Sequence, residues 1–332
     1  MSKNITPEER ERRTPTEEIQ AQFRSARADI ERQFENTKAQ FENTRVQFEA
    51  ANEKIRTRTG RNLLGAIAAG LIFGGFVIVS LIIFKWFFVI FALVTLGICS
   101  LELANAMRVR GWYVPRVLSV VVTVIAMPVA FFGGIVMTLI VIALGTVIIL
   151  MTQIVTSNRA AYTDKAPLNQ RMFAAMFVQA YVSVLGAVTV NLVSRDDGQW
   201  WVMGFLIVVV SIDTGAYVTG LLFGKHLMAP KISPKKTWEG FAGAGVISLI
   251  ASGLVVTLML HLPIWFTPIF AIPILFSAVW GDLGESQLKR IIGVKDMSNW
   301  LAGHGGFLDR VDSILPTALV VYIIYNVVHA VS

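Results

Sequence analysis

From Asn62 to the C-terminus the chain is a succession of apolar runs of about 20 residues, the length a helix needs to cross hydrocarbon. This pattern constrains the fold more than any other feature. A segment in lipid must satisfy its own backbone N–H and C=O groups, which leaves helices or closed barrels. Runs this long and unbroken, without period-two alternation, predict helices. We therefore expect an all-α integral membrane protein with about nine transmembrane helices. They fall near 62–84, 86–105, 114–132, 134–152, 172–193, 200–222, 240–260, 264–281 and 314–331. Lys85 separates the first two, and Gly133 and Gly134 divide a longer run into the third and fourth.

Residues 1–61 have a different character, dense in charges of both signs and free of proline and glycine between Pro15 and Gly60. Phe34, Phe41 and Phe48 recur at seven-residue spacing within near-copies of one phrase, QFENTK, QFENTR and QFEAAN. Ile55 continues the line. Such spacing predicts a heptad-like helix that pairs in a coiled coil or lies along a surface. No chemistry is visible in it. The expected organisation is a cytosolic helical leader over 1–61, transmembrane helices over 62–200, and a catalytic membrane region over 201–332.

Basic residues set the expected orientation. With the N-terminus in the cytosol and nine alternating spans, only Lys85 and Arg195 of the 29 Lys and Arg fall outside. The net charge of +7 is thereby explained without nucleic acid as a partner. The C-terminus comes out on the far side. A cleavable signal peptide is not expected, since the first apolar run begins so late. The single cysteine, Cys99, lies inside an apolar run and reads as a small buried residue.

The same orientation puts two charged segments, 223–239 and 282–313, on the cytosolic face as loops. From Gly281 to Asp312 the chain carries four basic residues, five acids and His304 between two apolar runs. Asp282, Ser286, Lys289 and Arg290 come first, then Lys295 and Asp296, then His304, Gly305, Gly306, Asp309, Arg310 and Asp312. If the loop folds back, Asp282 and Asp309 supply hard oxygen ligands of the kind magnesium takes. The cationic side chains suit phosphates, and the glycines permit close backbone approach. In the other segment Lys225, Ser233, Lys235, Lys236, Thr237 and Glu239 precede the seventh span. Ser233-Pro234 predicts an extended entry, and Thr237 a helix cap beside an anion site. Asp213 is a carboxylate midway along the sixth span, costly in hydrocarbon and so expected to line a cavity.

The stretch from Ser286 to Arg290, then Lys295-Asp296, then His304 to Asp312 closely resembles the signature of the phosphatidate cytidylyltransferases, also called CDP-diacylglycerol synthases. The runs Asp213 to Tyr217, Phe223 to Lys225 and Ser233 to Gly240 resemble further motifs of that family. One departure is Ala302, where the family usually has Pro, Gly or Ser. The resemblance implies the conversion of CTP and phosphatidate to CDP-diacylglycerol and pyrophosphate, with Mg2+ at Asp282 and Asp309 and room for a second cation. Lys289, Arg290, Lys295 and Arg310 would then hold phosphates, with Lys235 and Lys236 sharing that task, and His304 would orient a phosphate or a water. Asp296 and Asp312 join this catalytic set. Asp213, Lys225, Ser233, Thr237, Glu239, Ser286, Gly305 and Gly306 are expected on the substrate side. A homodimer in the bacterial cell membrane is expected. Two rival readings remain: a CTP-dependent lipid kinase of polyprenol or phytol type, and a transporter with an acidic midplane.

Overall fold

The computed structural model describes residues 35, 74–156, 166–298, 300 and 305–331. Backbone contacts divide the chain into two units, 1–69 and 70–332, and the helical bundle is the second. The leader helix expected over 1–61 lies outside the described residues, apart from Glu35. So do the start of the first span and His304.

The described chain is mainly helical. After a helical stretch over 74–82, α1 runs Lys85–Val109, α2 Arg116–Phe132, α3 Gly134–Val155, α4 Leu168–Ser194 and α5 Gly198–Phe223. A short hairpin comes next, β1 Leu227–Ala229 and β2 Ser233–Thr237. Then come α6 Trp238–Leu254, α7 Thr267–Ile292, a helical turn Leu308–Val311, and α8 Ile314–Val331. Among the described residues seven helices are long and apolar enough to cross a membrane, and α2 is a shorter apolar helix of 17 residues. The count of nine is thus met only in part, because the first expected span is described only from residue 74. Side chains on the outside of α3, including Val136, Ile140, Leu144, Val147 and Met151, are exposed and apolar. A water-soluble bundle would bury or replace such a face; its exposure suits the lipid-facing side of an integral membrane protein.

Two breaks expected from the sequence are present. Gly134 adopts φ of 75°, which a side chain disfavours, and this turns α2 into α3. Ser233-Pro234 is extended within β2, and the Thr237 side chain accepts a hydrogen bond from the Gly240 amide at 3.1 Å, capping α6. The hairpin itself was not expected. It pairs Leu227 with Thr237 and Ala229 with Ser233 in antiparallel register.

The segment 282–313, expected as a loop, is not one throughout, since 282–292 continue α7 and 308–311 form a helical turn. Hydropathy falls at Asp282, but Leu288 and Ile292 lie one helical turn apart and continue the buried face of Gly281 and Glu285. So α7 runs on to Ile292. It ends where Gly293 takes a left-handed conformation (φ 90°) and the Val294 amide donates back to the Lys289 carbonyl at 3.0 Å. The described part of the signature is therefore carried by the last turns of α7, by the helical turn Leu308–Val311 and by the described residues that precede it.

Polar side chains join the helices inside the bundle. Thr123 and Ser183 share a hydrogen bond of 2.7 Å, and Asn191 donates to the Ala130 carbonyl at 2.8 Å. Such bonds hold helices together where no hydrophobic force acts between them. Between α5 and α6 the contact is close enough that a Cβ on Gly240 would lie 2.9 Å from the Ala216 carbonyl oxygen.

Contacts between connections sort the two ends of the bundle. At one end Arg110 donates to the Ile291 carbonyl at 2.7 Å, the Ala166 amide to Gly111, and Gln153 to Tyr113. At the other, Lys85 donates to the Arg195 carbonyl at 2.5 Å, the Trp86 ring lies 4.8 Å from Phe132, and Asp197 receives the Tyr325 hydroxyl at 3.0 Å. Among the described residues Arg110, Gly111, Tyr113, Gln153, Ala166 and Ile291 thus share one end, and Lys85, Phe132, Arg195, Asp197 and Tyr325 the other.

Candidate active site

Three helices bring carboxylates together. Asp213 on α5, Asp282 on α7 and Asp312 ahead of α8 lie within electrostatic reach of one another. The approach of α7 to this turn depends on Gly281, where a Cβ would stand 2.7 Å from the Asp312 carbonyl oxygen. Asp282 and Asp213 each sit ten residues before the end of their helices, so the cluster lies about 15 Å in from those ends at the rise of an α-helix. It is recessed among helices rather than displayed on a surface loop.

The cluster has a cationic side. Lys236, at the end of β2, forms an ion pair with Asp282 at 2.8 Å and reaches the Val279 carbonyl at 3.4 Å. Ser286 donates to Asp282 from one turn further along α7, at 3.4 Å. Lys289 lies between two carboxylates, 2.5 Å from Glu285 and 2.9 Å from Asp309. These three side chains are largely withdrawn from water, with exposures of 15%, 0% and 10%. A single cation thus faces two buried acids, which is electrostatically incomplete. Asp309 is further held by the Gly306 amide at 2.7 Å and the Met297 amide at 3.3 Å. A Cβ on Gly305, whose φ is 79°, would sit 2.7 Å from the Asp309 carboxylate and 3.7 Å from Asp296.

The expected residues divide into groups. Asp213, Lys236, Asp282, Ser286, Lys289 and Asp312 belong to this region, as do Gly305, Gly306, Asp309 and, beside Gly305, Asp296. Arg290, Lys295 and Arg310 are exposed around it, and Lys225 and Lys235 are exposed on the hairpin. Ser233 is a strand residue paired with Ala229. Glu239 accepts hydrogen bonds from the Lys225 and His226 amides and from His226 Nδ1 at 2.6 Å, so its carboxylate closes the hairpin. Asp282 and Asp309 enter separate ion pairs, one with Lys236 and one with Lys289.

Three residues were not expected from the sequence. Glu102, within α1 and 1% exposed, receives hydrogen bonds from Ser298, Phe307 and Leu308. Glu285 is 2% exposed, and neither of its oxygens has a well-formed hydrogen bond among the described residues, although Lys289 stands beside one. The Tyr181 hydroxyl is buried, also lacks a hydrogen-bond partner there, and is within electrostatic reach of Asp312, Glu285 and Asp282. It projects from a π-helical turn, 179–184, in α4, an irregularity often found where a helix serves a site. Glu102 is, like Asp213, a carboxylate inside an apolar run, and that signal alone could have found it.

Comparison with known proteins bears on the same region. The model of the cytidylyltransferase family matches residues 65–328. A phosphatidate cytidylyltransferase of Mycobacterium leprae is 32% identical over 274 residues, 80% of this chain and 88% of the relative. One from Mycobacterium bovis is 31% identical over 278 residues, covering 81% and 90%. One from Staphylococcus epidermidis is 34% identical over 267 residues, covering 79% and 95%. With a match across the whole bundle and an acidic, lysine-bearing centre formed by the motif residues themselves, the chain belongs to the cytidylyltransferase family.

Proposed function

We propose that this protein is a phosphatidate cytidylyltransferase, joining CTP and phosphatidate to give CDP-diacylglycerol and pyrophosphate. The observation that carries the reading is the pairing of Lys236 with Asp282 and of Lys289 with Asp309, at one recessed centre between helices of a cytidylyltransferase-family membrane protein. A lipid substrate resides in the bilayer and CTP in water, and a centre recessed between helices, with the exposed Arg290, Lys295 and Arg310 beside it, is reachable from both.

The phosphate of phosphatidate is ionised near neutral pH and is itself the nucleophile. Its oxygen bonds to the α-phosphorus of CTP as the bond to the β-phosphate oxygen breaks, and pyrophosphate leaves with that electron pair. No strong base is needed. The obstacle is the repulsion between two anions, so catalysis is mainly positioning and charge neutralisation. Lys236 and Lys289 supply cationic groups already held in place by carboxylates. Arg290, Lys295 and Arg310 ring the centre and meet the polyphosphate from the aqueous side. Gly305 and Gly306 leave their turn free of side chains. Asp213 lines the approach of the headgroup.

The carboxylates of Asp282 and Asp309, each beside a lysine, would hold Mg2+, with room for a second cation. Among the described residues no three His, Cys, Asp or Glu side chains form a ready-made cage. Magnesium rarely needs one, since it binds through one or two carboxylates, waters and substrate phosphates. Bound there, it would supply charge stabilisation of the transferring phosphoryl group and the departing pyrophosphate. The centre faces the cytosol, where CTP is found, in the bacterial cell membrane. The active form is a homodimer.

Purified protein given phosphatidate, Mg2+ and CTP labelled at the α-phosphate should yield labelled lipid, with none from γ-labelled CTP. Label from the γ-position in lipid would identify a CTP-dependent lipid kinase instead. CTP-independent flux of solute through sealed liposomes, with no labelled lipid, would identify a transporter.

A further inference from the structure

Glu102 is a carboxylate buried in an otherwise apolar helix and lies about 200 residues from the segment it binds. Its Oε1 accepts from the Ser298 hydroxyl at 2.5 Å and from the Phe307 amide at 3.1 Å. Its Oε2 accepts from the Leu308 amide at 2.9 Å. A buried charge is tolerated only where donors surround it, and here all three come from one short segment. Gly306 completes the fit, since a Cβ there would stand 2.7 Å from Oε2. The preceding amide, Gly306, goes to Asp309 at 2.7 Å. Three consecutive amides are thus divided between two carboxylates, one from α1 and one from the signature itself.

We propose that Glu102 is a positioning residue for the cytidylyl-transfer centre: reaching across from α1, its carboxylate sets the turn 305–308 and thereby the direction in which Asp309 meets Lys289. The proposal rests on the reading of Asp309 as part of that centre. Glu102 itself bonds to that segment and not to the lysines. Without it, the Phe307 and Leu308 amides lack their acceptor and the turn is free to rotate. Asp309, fastened to that turn through Gly306, moves with it.

The test uses the full-length protein in detergent and two readouts, steady-state kinetics and amide hydrogen exchange. Glu102→Gln keeps the shape and weakens the charge-assisted bonds. It should lower kcat about tenfold to a hundredfold, the equivalent of one or two such bonds, while KM for CTP stays within about twofold. Exchange at residues 306–308 should quicken, with α3 and α4 unchanged. Ser298→Ala should show the same pattern more weakly and serves equally if Glu102→Gln does not fold. Gly306→Ala should be severely impaired, and adding Glu102→Asp, which shortens the carboxylate, should restore part of its kcat. Wild-type exchange at 306–308 in Glu102→Gln and Ser298→Ala would overturn the proposal, as would lost activity with unchanged exchange or simple multiplication of the Gly306→Ala and Glu102→Asp defects. Exchange requires no substrate. A wild-type protein that makes no CDP-lipid therefore sinks the proposed reaction and leaves the tether to be judged by exchange alone.

Discussion

Lys289 is the residue on which most of the local electrostatics converge, because it is the cation shared by Glu285 and Asp309. Lys289→Met would leave Glu285 without its cation and Asp309 with only the Gly306 and Met297 amides, and stranding a buried carboxylate typically costs about 3–5 kcal/mol. We expect a lowered unfolding temperature in detergent and loss of turnover. Adding Glu285→Gln removes one of the stranded charges and should recover part of the stability but not the activity. Simple additivity of the two changes would show that the side chains do not interact. Asp309→Asn retains the size of the side chain but weakens its bonds to Lys289 and to the Gly306 and Met297 amides. It should fold and yet lose about a hundredfold or more in kcat, the scale of a lost transition-state stabiliser. Full activity in that variant would remove Asp309 from the centre. At this scale the sequence singled out Asp282, Lys289 and Asp309, whose charges stand out against apolar surroundings, and the structure sets them in neighbouring ion pairs. It was a poorer guide to what Glu102 binds and to the place of Tyr181. Each is a single polar side chain within a membrane run, and its partner lies far away along the chain.

At the scale of elements, the lysines depend on how α5, α6 and α7 pack. Lys236 reaches Asp282 from the hairpin that leads directly into α6, and Gly240 sets the distance of α6 from α5. A methyl group at Gly240 would press on the Ala216 carbonyl, and backbone does not yield as a side-chain tip does. Gly240→Ala should cost about 1–3 kcal/mol, the usual range for overpacking. It should also reduce activity by shifting Lys236, which a wild-type melting curve and rate would disprove. The apolar spans were legible because their length and composition are dictated by lipid. The extension of α7 to Ile292 was not, because hydropathy reports burial in hydrocarbon and is silent about helix geometry once charge appears. The signals that do mark the end were there: Leu288 and Ile292 one turn apart, then Gly293. The hairpin was hidden for another reason. Strands of three and five residues leave too short a pattern to show alternation.

For the whole molecule, the sorting of connections to two ends makes the orientation testable. Asp196 is exposed at one end and Lys231 on the hairpin at the other, while the native Cys99 is fully buried. A membrane-impermeant thiol reagent should label Asp196→Cys in intact cells and Lys231→Cys only after lysis. The reverse result would invert the proposed topology. Gly281 lets α7 lie directly against the turn that carries Asp312, and the opposing acid Asp213 belongs to a third helix. A centre shared in this way has no frame of its own, since its width is the spacing of helices immersed in lipid. Reconstituted into bilayers of graded acyl-chain length, with headgroup held constant, the protein should show a maximum rate at one thickness and decline on both sides. The membrane that such an enzyme helps to build would then act as the calliper that sets its pace.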